Sequence, residues 1–215
     1  MEEIITSILL CVGTVAFALS GSITATQKKL DYLGIIVLSG ITALGGGMLR
    51  DVLLGKFPPD AFVYPIYACL AFGAAVIFIV ARKILSTDNH TKIKRNLRIP
   101  FLASDAVGLS IFTISGMNAA YAAGFASNVF LCIFVGIITG VGGGMLRDVL
   151  AHQTPSVLKE DIYALPALLG GIIYYLLRHF DILTTPIDMI IAGSVIFGVR
   201  LLAVKKGWSL PTLES

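Results

Sequence analysis

The chain has 215 residues, of which 56% are hydrophobic and 13% are charged, and its mean hydropathy is +0.89. Soluble domains carry roughly a quarter charged residues, so this composition excludes a soluble globular protein and indicates that lipid surrounds much of the chain. The net charge of +3 is small, and its distribution indicates membrane orientation and not nucleic-acid binding. Apolar runs of about 20 residues predict an all-α membrane protein.

Seven apolar segments follow one another along the chain. They are predicted as transmembrane helices at Ile4–Thr24, Leu33–Leu54, Phe62–Ala81, Phe101–Ala123, Asn128–Leu150, Ile162–Leu177 and Ile187–Val204. The first segment follows two glutamates, whereas a secretory signal begins with positive charge, so we expect this helix to stay in the mature protein. The three cysteines each lie inside an apolar run and are predicted to be packing residues, with no zinc site.

The longest polar stretch is the basic segment Arg82–Arg98, between the third and fourth predicted helices. Cytoplasmic loops carry the excess of Lys and Arg, so we predict that this segment and the C-terminus are cytoplasmic and that the N-terminus is outside. Most of the 16 Lys and Arg residues then lie on the inner side of the membrane. A binding site for lipid headgroups is the alternative interpretation of the same segment.

One motif, GGGMLRDVL, occurs twice, at Gly45–Leu53 and again at Gly142–Leu150. Shorter matches lie around it in the same order, among them Val12-Gly13, Phe17 and Ser20-Gly21 with Val107-Gly108, Phe112 and Ser115-Gly116. The predicted units are a three-helix half at 1–85, a basic cytoplasmic linker at 86–99, a second three-helix half at 100–180, and a seventh helix with a cytoplasmic tail at 181–215. Because three is odd, the second half is predicted to lie inverted in the membrane, as in many transporters.

Each copy of the motif joins a glycine triplet to an Arg–Asp pair. The candidate site residues are Gly45, Gly46, Gly47, Arg50 and Asp51 in the first copy and Gly142, Gly143, Gly144, Arg147 and Asp148 in the second. Glycine costs about 1 kcal/mol relative to alanine inside a helix, so each triplet predicts a bent or unwound helix; close helix packing is the alternative. An interruption would free carbonyls near Gly45 and Gly142, and such carbonyls can replace part of the hydration shell of potassium.

The two arginines need partners, because a charged side chain inside a membrane helix costs at least ~2.5–3.5 kcal/mol. A charge that snorkels from a helix end is the alternative. Neighbouring residues on a helix do not face each other, so each arginine is predicted to pair with another helix and not with the next Asp. Asp105 and Asp188 are interpreted as ordinary acids at helix starts. No Ser/His/Asp spacing or His-rich motif is present, so we predict neither an enzyme nor a cofactor.

Two three-helix halves, each with GGGxxRD, followed by a seventh helix resemble the prokaryotic branch of the trimeric intracellular cation (TRIC) channel family, over about Ile4–Val204. The resemblance implies a homotrimer in the plasma membrane of a prokaryote, with membrane lipids as partners. It implies a pore in each protomer, lined by kinked second and fifth helices and the motif residues, that conducts monovalent cations such as potassium and sodium. The lysine-based signature of the animal members is absent from this sequence.

Bacterial proteins with this duplicated domain are also regarded as glycine transporters. A secondary transporter of a small zwitterion such as glycine is therefore the alternative function. No carboxylate stands out deep in a predicted span as a site for a coupling ion, which favours the channel.

Overall fold

The computed structural model of the protein describes residues 2–85, 90–159, 162–181 and 183–208, and the regular structure in these ranges is helical. The helices are α1 (Glu2–Gln27), α2 (Tyr32–Leu53), α3 (Asp60–Val63), α4 (Pro65–Leu85), α5 (His90–Ala122), α6 (Val129–Leu150), α7 (Ser156–Lys159), α8 (Ala164–His179) and α9 (Thr185–Lys206). The helices α3 and α7 are single turns, and each follows a helix that carries one copy of the motif. The predicted second and fifth membrane helices are thus α2 and α6.

The described part of the chain contains six helices that are long and apolar enough to cross a membrane. They are Ile4–Gln27, Tyr32–Leu53, Pro65–Ile84, Leu97–Ala122, Val129–Leu150 and Thr185–Lys206. Large apolar side chains such as Ile77 and Phe130 point away from the bundle, with 70% and 78% of their surface exposed, as lipid-facing residues do. The prediction of an all-α membrane protein is confirmed.

The sixth predicted span, Ile162–Leu177, corresponds to the shorter helix α8. This helix has 16 residues, fewer than the ~20 that a perpendicular crossing requires. The count of seven spans therefore stays a prediction, as does the inverted arrangement of the two halves.

The basic segment is largely helical where the structure describes it. Helix α5 begins at His90, ahead of the predicted start at Phe101, while residues 86–89 of the predicted linker lie outside the described residues. Pro100 lies inside α5, where the basic segment passes into the apolar one and the helix loses one backbone donor. The early start of α5 places Asp105 well inside the helix and not in its first turn.

The two halves begin their motif helices in the same way. Asp31 caps α2 by accepting the backbone N–H of Gly34 at 2.7 Å, and Asn128 caps α6 by accepting the N–H of Leu131 at 3.0 Å. A side-chain oxygen at this position satisfies one of the free N–H groups of the first turn. Both motif helices thus start at a defined residue, and their C-terminal turns carry the Arg–Asp pairs.

Each half also packs its first two long helices through a glycine against a threonine. A Cβ on Gly21 of α1 would lie 2.7 Å from Oγ1 of Thr42 on α2, and a Cβ on Gly116 of α5 would lie 2.7 Å from Cβ of Thr139 on α6. Small residues allow such close approach between membrane helices. Matching residues of the repeat therefore make matching contacts in the two halves.

Candidate functional site

In the described part of the chain, two cavities with charged and polar residues in their linings enter the helix bundle. The first, which we call the Arg50 cavity, has a volume of 830 Å³, and its polar lining includes Thr6, Thr14, Arg50, Asp51, Asp60 and Arg178. The second, the Arg200 cavity, has a volume of 640 Å³, and its polar lining includes Gln27, Arg98, Gln153, Ser156 and Arg200. Both volumes are large enough to hold many water molecules.

The two cavities lie at opposite ends of the bundle. Helix α1 contributes Thr6 to the Arg50 cavity and Gln27 to the Arg200 cavity, whereas α5 contributes Asn118 to the first and Arg98 to the second. Helices α1 and α5 therefore run in opposite directions. The middle turns of both helices separate the cavities.

The Arg–Asp pair of the first motif copy lies in the wall of the Arg50 cavity. Arg50 Nε donates to Asp51 Oδ1 at 2.8 Å, and Arg50 Nη2 donates to Asp60 Oδ2 at 3.2 Å. The other oxygen of Asp51 accepts the backbone N–H of Asp60 at 2.8 Å, which fixes the start of α3. Lys56 Nζ lies 2.7 Å from Asp60 Oδ1. Two cations and two carboxylates thus balance each other at the cavity wall.

The Arg–Asp pair of the second copy lies in the interior, between the two cavities. Arg147 has no exposed surface, and its Nε donates to Asp148 Oδ1 at 2.8 Å. Its Nη1 donates to Asp105 Oδ1 of α5 at 2.6 Å and also to the hydroxyl of Ser20 on α1. One guanidinium therefore ties together α1, α5 and α6. A buried charge is tolerated only when paired in this way.

Further contacts hold the Arg147 cluster against the Arg200 cavity. Asp148 Oδ2 accepts the backbone N–H of Ser156 at 2.7 Å, which fixes the start of α7, and Asp148 Oδ1 accepts from Gln153 Nε2 at 2.9 Å. The guanidinium carbon of Arg147 lies 4.9 Å from the ring centroid of Phe101, within the range of a cation–π contact. Phe101, Gln153 and Ser156 all line the Arg200 cavity, so the cluster forms its closed end.

The arginine predictions are half right. Each arginine reaches another helix, as predicted, Arg50 through Asp60 and Arg147 through Asp105. The prediction that neither arginine pairs with the following Asp is wrong, because both do so. Both arginines lie in the last turn of their helices, where no further turn follows, and the long side chain can fold back to the adjacent carboxylate.

The glycine triplets do not interrupt their helices. Helix α2 continues through Gly45–Gly47 and α6 through Gly142–Gly144, so the predicted unwinding is wrong. A bend of either helix axis stays a prediction. Because an unbroken helix keeps its carbonyls in the helical ladder, the predicted potassium path along the carbonyls of Gly45 and Gly142 loses its structural basis.

Close packing explains the first two glycines of each triplet. A Cβ on Gly46 would clash with the backbone oxygen of Thr139, and a Cβ on Gly143 would clash with that of Thr42. Gly45 and Gly142 face leucine side chains across the same crossing, at 2.6 Å from Leu146 Cδ1 and 2.8 Å from Leu49 Cδ1. The alternative interpretation, helix packing through small residues, is therefore the one that the contacts support.

The third glycine of each triplet leaves space beside the arginine. A Cβ on Gly47 would meet only Arg50 Nη2, at 4.0 Å, while a Cβ on Gly144 would lie 3.0 Å from the hydroxyl of Tyr163 and 3.6 Å from Arg147 Nη2. The triplet thus has two functions along its length. Two glycines bring α2 and α6 together, and the third adjoins a guanidinium.

Sequence reasoning missed several residues of the site. Asp105 is 1% exposed and lies in the interior of α5, and only the early start of that helix distinguishes it from an acid at a helix end. Asp188 does lie in the first turn of α9, but it is also 1% exposed, and neither carboxylate oxygen has a hydrogen-bond partner among the described residues. The interpretation of both residues as ordinary acids at helix starts therefore fails for Asp105, which is not at a helix start, and misses the burial of Asp188. Asp60 carried no signal in the sequence, and Ser20 stood out only as a position of the internal repeat.

The described residues contain no group of three or more His, Cys, Asp or Glu side chains that could hold a metal ion. The chemistry available at the site is that of charged and hydroxyl side chains facing cavities that can each hold many water molecules. Such a site can pass or bind small polar solutes.

The chain matches a family model described as "Glycine transporter" over residues 7–83 and 102–179, one interval in each predicted half. The UPF0126 inner membrane protein YadS of Escherichia coli strain K12 is 32% identical over 204 residues, which are 94% of this chain and 92% of the relative. The UPF0126 membrane protein YvgT of Bacillus subtilis strain 168 is 37% identical over 166 residues, 77% of each chain.

Solved structures of similar proteins cover nearly the whole chain. A prokaryotic TRIC channel crystallised in 0.5 M KCl is 36% identical, with a TM-score of 0.84 over 98% of this chain and 100% of the other. The TRIC trimeric intracellular cation channel orthologue from Rhodobacter sphaeroides is 28% identical, with a TM-score of 0.82 over 94% of this chain and 98% of the other. The chain therefore belongs to the family of the glycine-transporter model and the UPF0126 membrane proteins, and it has the fold of the prokaryotic TRIC channels.

Proposed function

We propose that this protein is a channel for monovalent cations, potassium above all, with one path through each protomer of a homotrimer. The path runs from the Arg50 cavity to the Arg200 cavity. The observation that carries this proposal is the pair of cavities with charged residues in their linings at opposite ends of one bundle, separated by the buried cluster around Arg147 and by the middle turns of α1 and α5. The similarity to solved TRIC cation channels supports it.

Local charge explains how a cation path can contain arginines. The buried cluster joins one guanidinium, Arg147, to two carboxylates, Asp105 and Asp148, so its formal charge is one negative. In the low dielectric of the interior this net charge attracts a cation more strongly than it would in water. The lining of the Arg50 cavity holds three cations, Arg50, Lys56 and Arg178, and two carboxylates, Asp51 and Asp60, so the negative charge that favours a cation lies at the buried cluster.

Arg147 is the gate of this path in our proposal. Its guanidinium is fully buried and held by α1, α5 and its own helix, so the path is closed where it lies. Conduction requires the side chain to leave Asp105, and the ring of Phe101 at the end of the Arg200 cavity, which the guanidinium already contacts, can keep hold of it after that release. Release of Asp105 would at the same moment expose a carboxylate to the passing cation.

The proposed membrane arrangement has two inverted halves, α8 as the sixth span, the N-terminus outside and the C-terminus in the cytoplasm of a prokaryote. The opposite directions of α1 and α5 and the matching glycine contacts support the inversion. A cysteine introduced at Asn89, in a cysteine-free background, should react with an impermeant reagent only after the cells are permeabilised. Reaction in intact cells would reverse the orientation.

The test of the channel is electrical. Purified protein in planar bilayers under a potassium gradient should show discrete openings whose reversal potential is that of a cation-selective pore. Arg147→Ala should change the open probability, and so should Arg50→Ala, while Leu169→Ala on the exposed surface of α8 should not. Openings that are anion-selective would contradict the proposal.

The second candidate is a secondary transporter of a small zwitterion such as glycine. Two observations favour it. The Arg50 cavity carries charges of both signs, as binding of a zwitterion requires. Asp188, a buried carboxylate without a hydrogen-bond partner among the described residues, lies next to Met189 in the cavity lining and is a candidate site for a coupling ion. The family model bears the same description. Accumulation of radiolabelled glycine in liposomes, without any unitary current, would establish the transporter and exclude the channel.

A further inference from the structure

An aromatic pair lies at the inner end of the Arg50 cavity. The rings of Phe17 on α1 and Phe112 on α5 stack with their centroids 5.2 Å apart and their planes 10° apart. Phe112 lines the cavity and is 6% exposed, whereas Phe17 is 1% exposed. The cavity therefore ends at a flat apolar surface.

The pair lies between the cavity and the Arg147 cluster. On one face of α1, Thr14 lines the Arg50 cavity, Phe17 follows one turn later, and Ser20, another turn on, accepts a hydrogen bond from Arg147. On α5, Phe112 lines the same cavity, and the helix reaches Asp105 two turns away. A solute moving inward from the Arg50 cavity thus meets the aromatic rings before it meets the guanidinium.

The two phenylalanines are equivalent positions of the internal repeat, and so are the two glycines that make room for them. A Cβ on Gly108 of α5 would clash with the ring of Phe17, and a Cβ on Gly13 of α1 would lie 3.2 Å from Cε2 of Phe112. Each half thus supplies a ring and a glycine that accommodates the ring of the other half. Reciprocal contact between equivalent residues occurs where two repeats meet, which is where transport paths of such folds lie.

We propose that Phe17 and Phe112 form an apolar gate in series with Arg147. The inference rests on the proposed channel function and adds a second closure to it. A hydrated cation cannot pass between stacked rings, and an apolar constriction also excludes the water that would accompany the ion. The rings must separate before an ion reaches the charged cluster, so the closed state has an apolar layer and a charged layer.

The chain contains a matched control pair. Phe130 and Phe134 on α6 also stack, with centroids 5.7 Å apart and planes 17° apart, but they are 78% and 43% exposed on the outer surface of the bundle. Loss of either ring removes an aromatic pair without touching the proposed path. A change in open probability that occurs in the Phe17 and Phe112 variants but not in the Phe130 variant is therefore due to the location of the first pair on the proposed path.

The experiment compares Phe17→Ala, Phe112→Ala and Phe112→Tyr with Phe130→Ala in planar bilayers under a potassium gradient. Phe112→Tyr keeps the ring and its packing but adds a hydroxyl beside the cavity, so it tests the apolar character even where an alanine variant fails to fold. We expect Phe17→Ala and Phe112→Ala to raise the open probability by about tenfold, the scale of one stacked aromatic pair. Phe112→Tyr should raise the open probability by less, because the stacked ring stays and only the added hydroxyl favours water. Phe130→Ala should behave as the wild type does.

The outcomes separate the gate from the channel. Wild-type openings that are unchanged in all folded gate variants, or equally raised in Phe130→Ala, would overturn the gate and leave the channel in place. A silent wild type together with conducting gate variants would support both. Silence of the wild type, of the gate variants and of a double variant that combines Phe112→Tyr with Arg147→Ala would overturn both, because a path without its apolar layer and without its guanidinium would still not conduct.

Discussion

The two copies of the GGGMLRDVL motif have the same sequence but lie in different surroundings. Arg50 lines an open cavity, whereas Arg147 is fully buried and lines neither cavity. Within the motif the contacts are the same, since each arginine bonds the next aspartate through Nε at 2.8 Å. The difference must therefore come from residues outside the motif.

Two acids outside the motif account for it. Asp105 on α5 draws Arg147 into the bundle, while the position that corresponds to Asp105 in the first half is Leu10, which cannot hold a guanidinium. Asp60, the first residue of α3, holds Arg50 at the cavity wall instead. Identical motifs thus form a cavity wall in one half and a closed centre in the other. The reason is that the acid outside the motif that binds the arginine is Asp60 at the cavity in the first half and Asp105 in the interior in the second half.

The largest expected difference between the copies is in the arginines themselves. Arg147→Ala leaves Asp105 and Asp148 buried without their cation, and breaking a buried ion pair in this way costs about 3–5 kcal/mol of stability. Arg50→Ala should cost about 1–3 kcal/mol, because Asp60 keeps Lys56 and Asp51 keeps a backbone N–H. Thermal unfolding in detergent, followed by size-exclusion chromatography, measures both. Equal losses would show that burial does not distinguish the copies.

The acids provide the next test. Asp105→Asn should cost about 1.5–3 kcal/mol, the range for a hydrogen bond to a charged group, since Asp148 is then the one carboxylate that Arg147 keeps among the described residues. Asp60→Asn should cost at most about 1 kcal/mol, because its side chain is 25% exposed and solvent screens the pair. The same unfolding measurement applies. A larger loss for Asp60→Asn would contradict the account of why the copies differ.

The paired glycines should behave alike in the two copies. Gly46→Ala and Gly143→Ala each place a methyl group against a backbone oxygen of the opposite motif helix, and such overpacking typically costs about 1–3 kcal/mol. Alanine at Gly193, where nothing lies within 4 Å, is the matched control and should be neutral or stabilising. If Gly46→Ala and Gly143→Ala raise stability, the triplets serve flexibility and not packing.

The smallest expected change in stability is at the third glycine of each triplet, Gly47 and Gly144. Gly47→Ala should be neutral or stabilise the protein by up to about 1 kcal/mol, because its only neighbour is 4.0 Å away and alanine favours the helix. Gly144→Ala should gain less or lose stability, since the Tyr163 hydroxyl at 3.0 Å must move. Apparent melting temperatures of the two variants give the sign. A stabilising Gly144→Ala together with a destabilising Gly47→Ala would contradict this contact geometry.

The sequence by itself determined the class of the protein and the identity of its central motif. Six of the seven spans predicted from hydropathy coincide with helices that are long and apolar enough to cross a membrane. The prediction works because a chain in lipid must pair its backbone N–H and C=O groups with each other, which a helix does. The exact repetition of GGGMLRDVL identified the residues that bring α2 and α6 together and the arginines that close or line the cavities. Hydropathy and the repeated motif are both properties of short stretches of the chain, so both are visible in the sequence without knowledge of the fold.

Only the tertiary structure decided what those residues contact. The triplets looked like helix breaks because the cost of glycine is a local property, but the close crossing of α2 and α6 offsets that cost and keeps both helices intact. The partners of Arg147 come from Ser20 and Asp105, which are 127 and 42 residues away, and no pattern in the sequence joins them. Which arginine is buried depends on where a distant acid comes to lie, and that is fixed by the packing of α1, α5 and α6 and not by the motif.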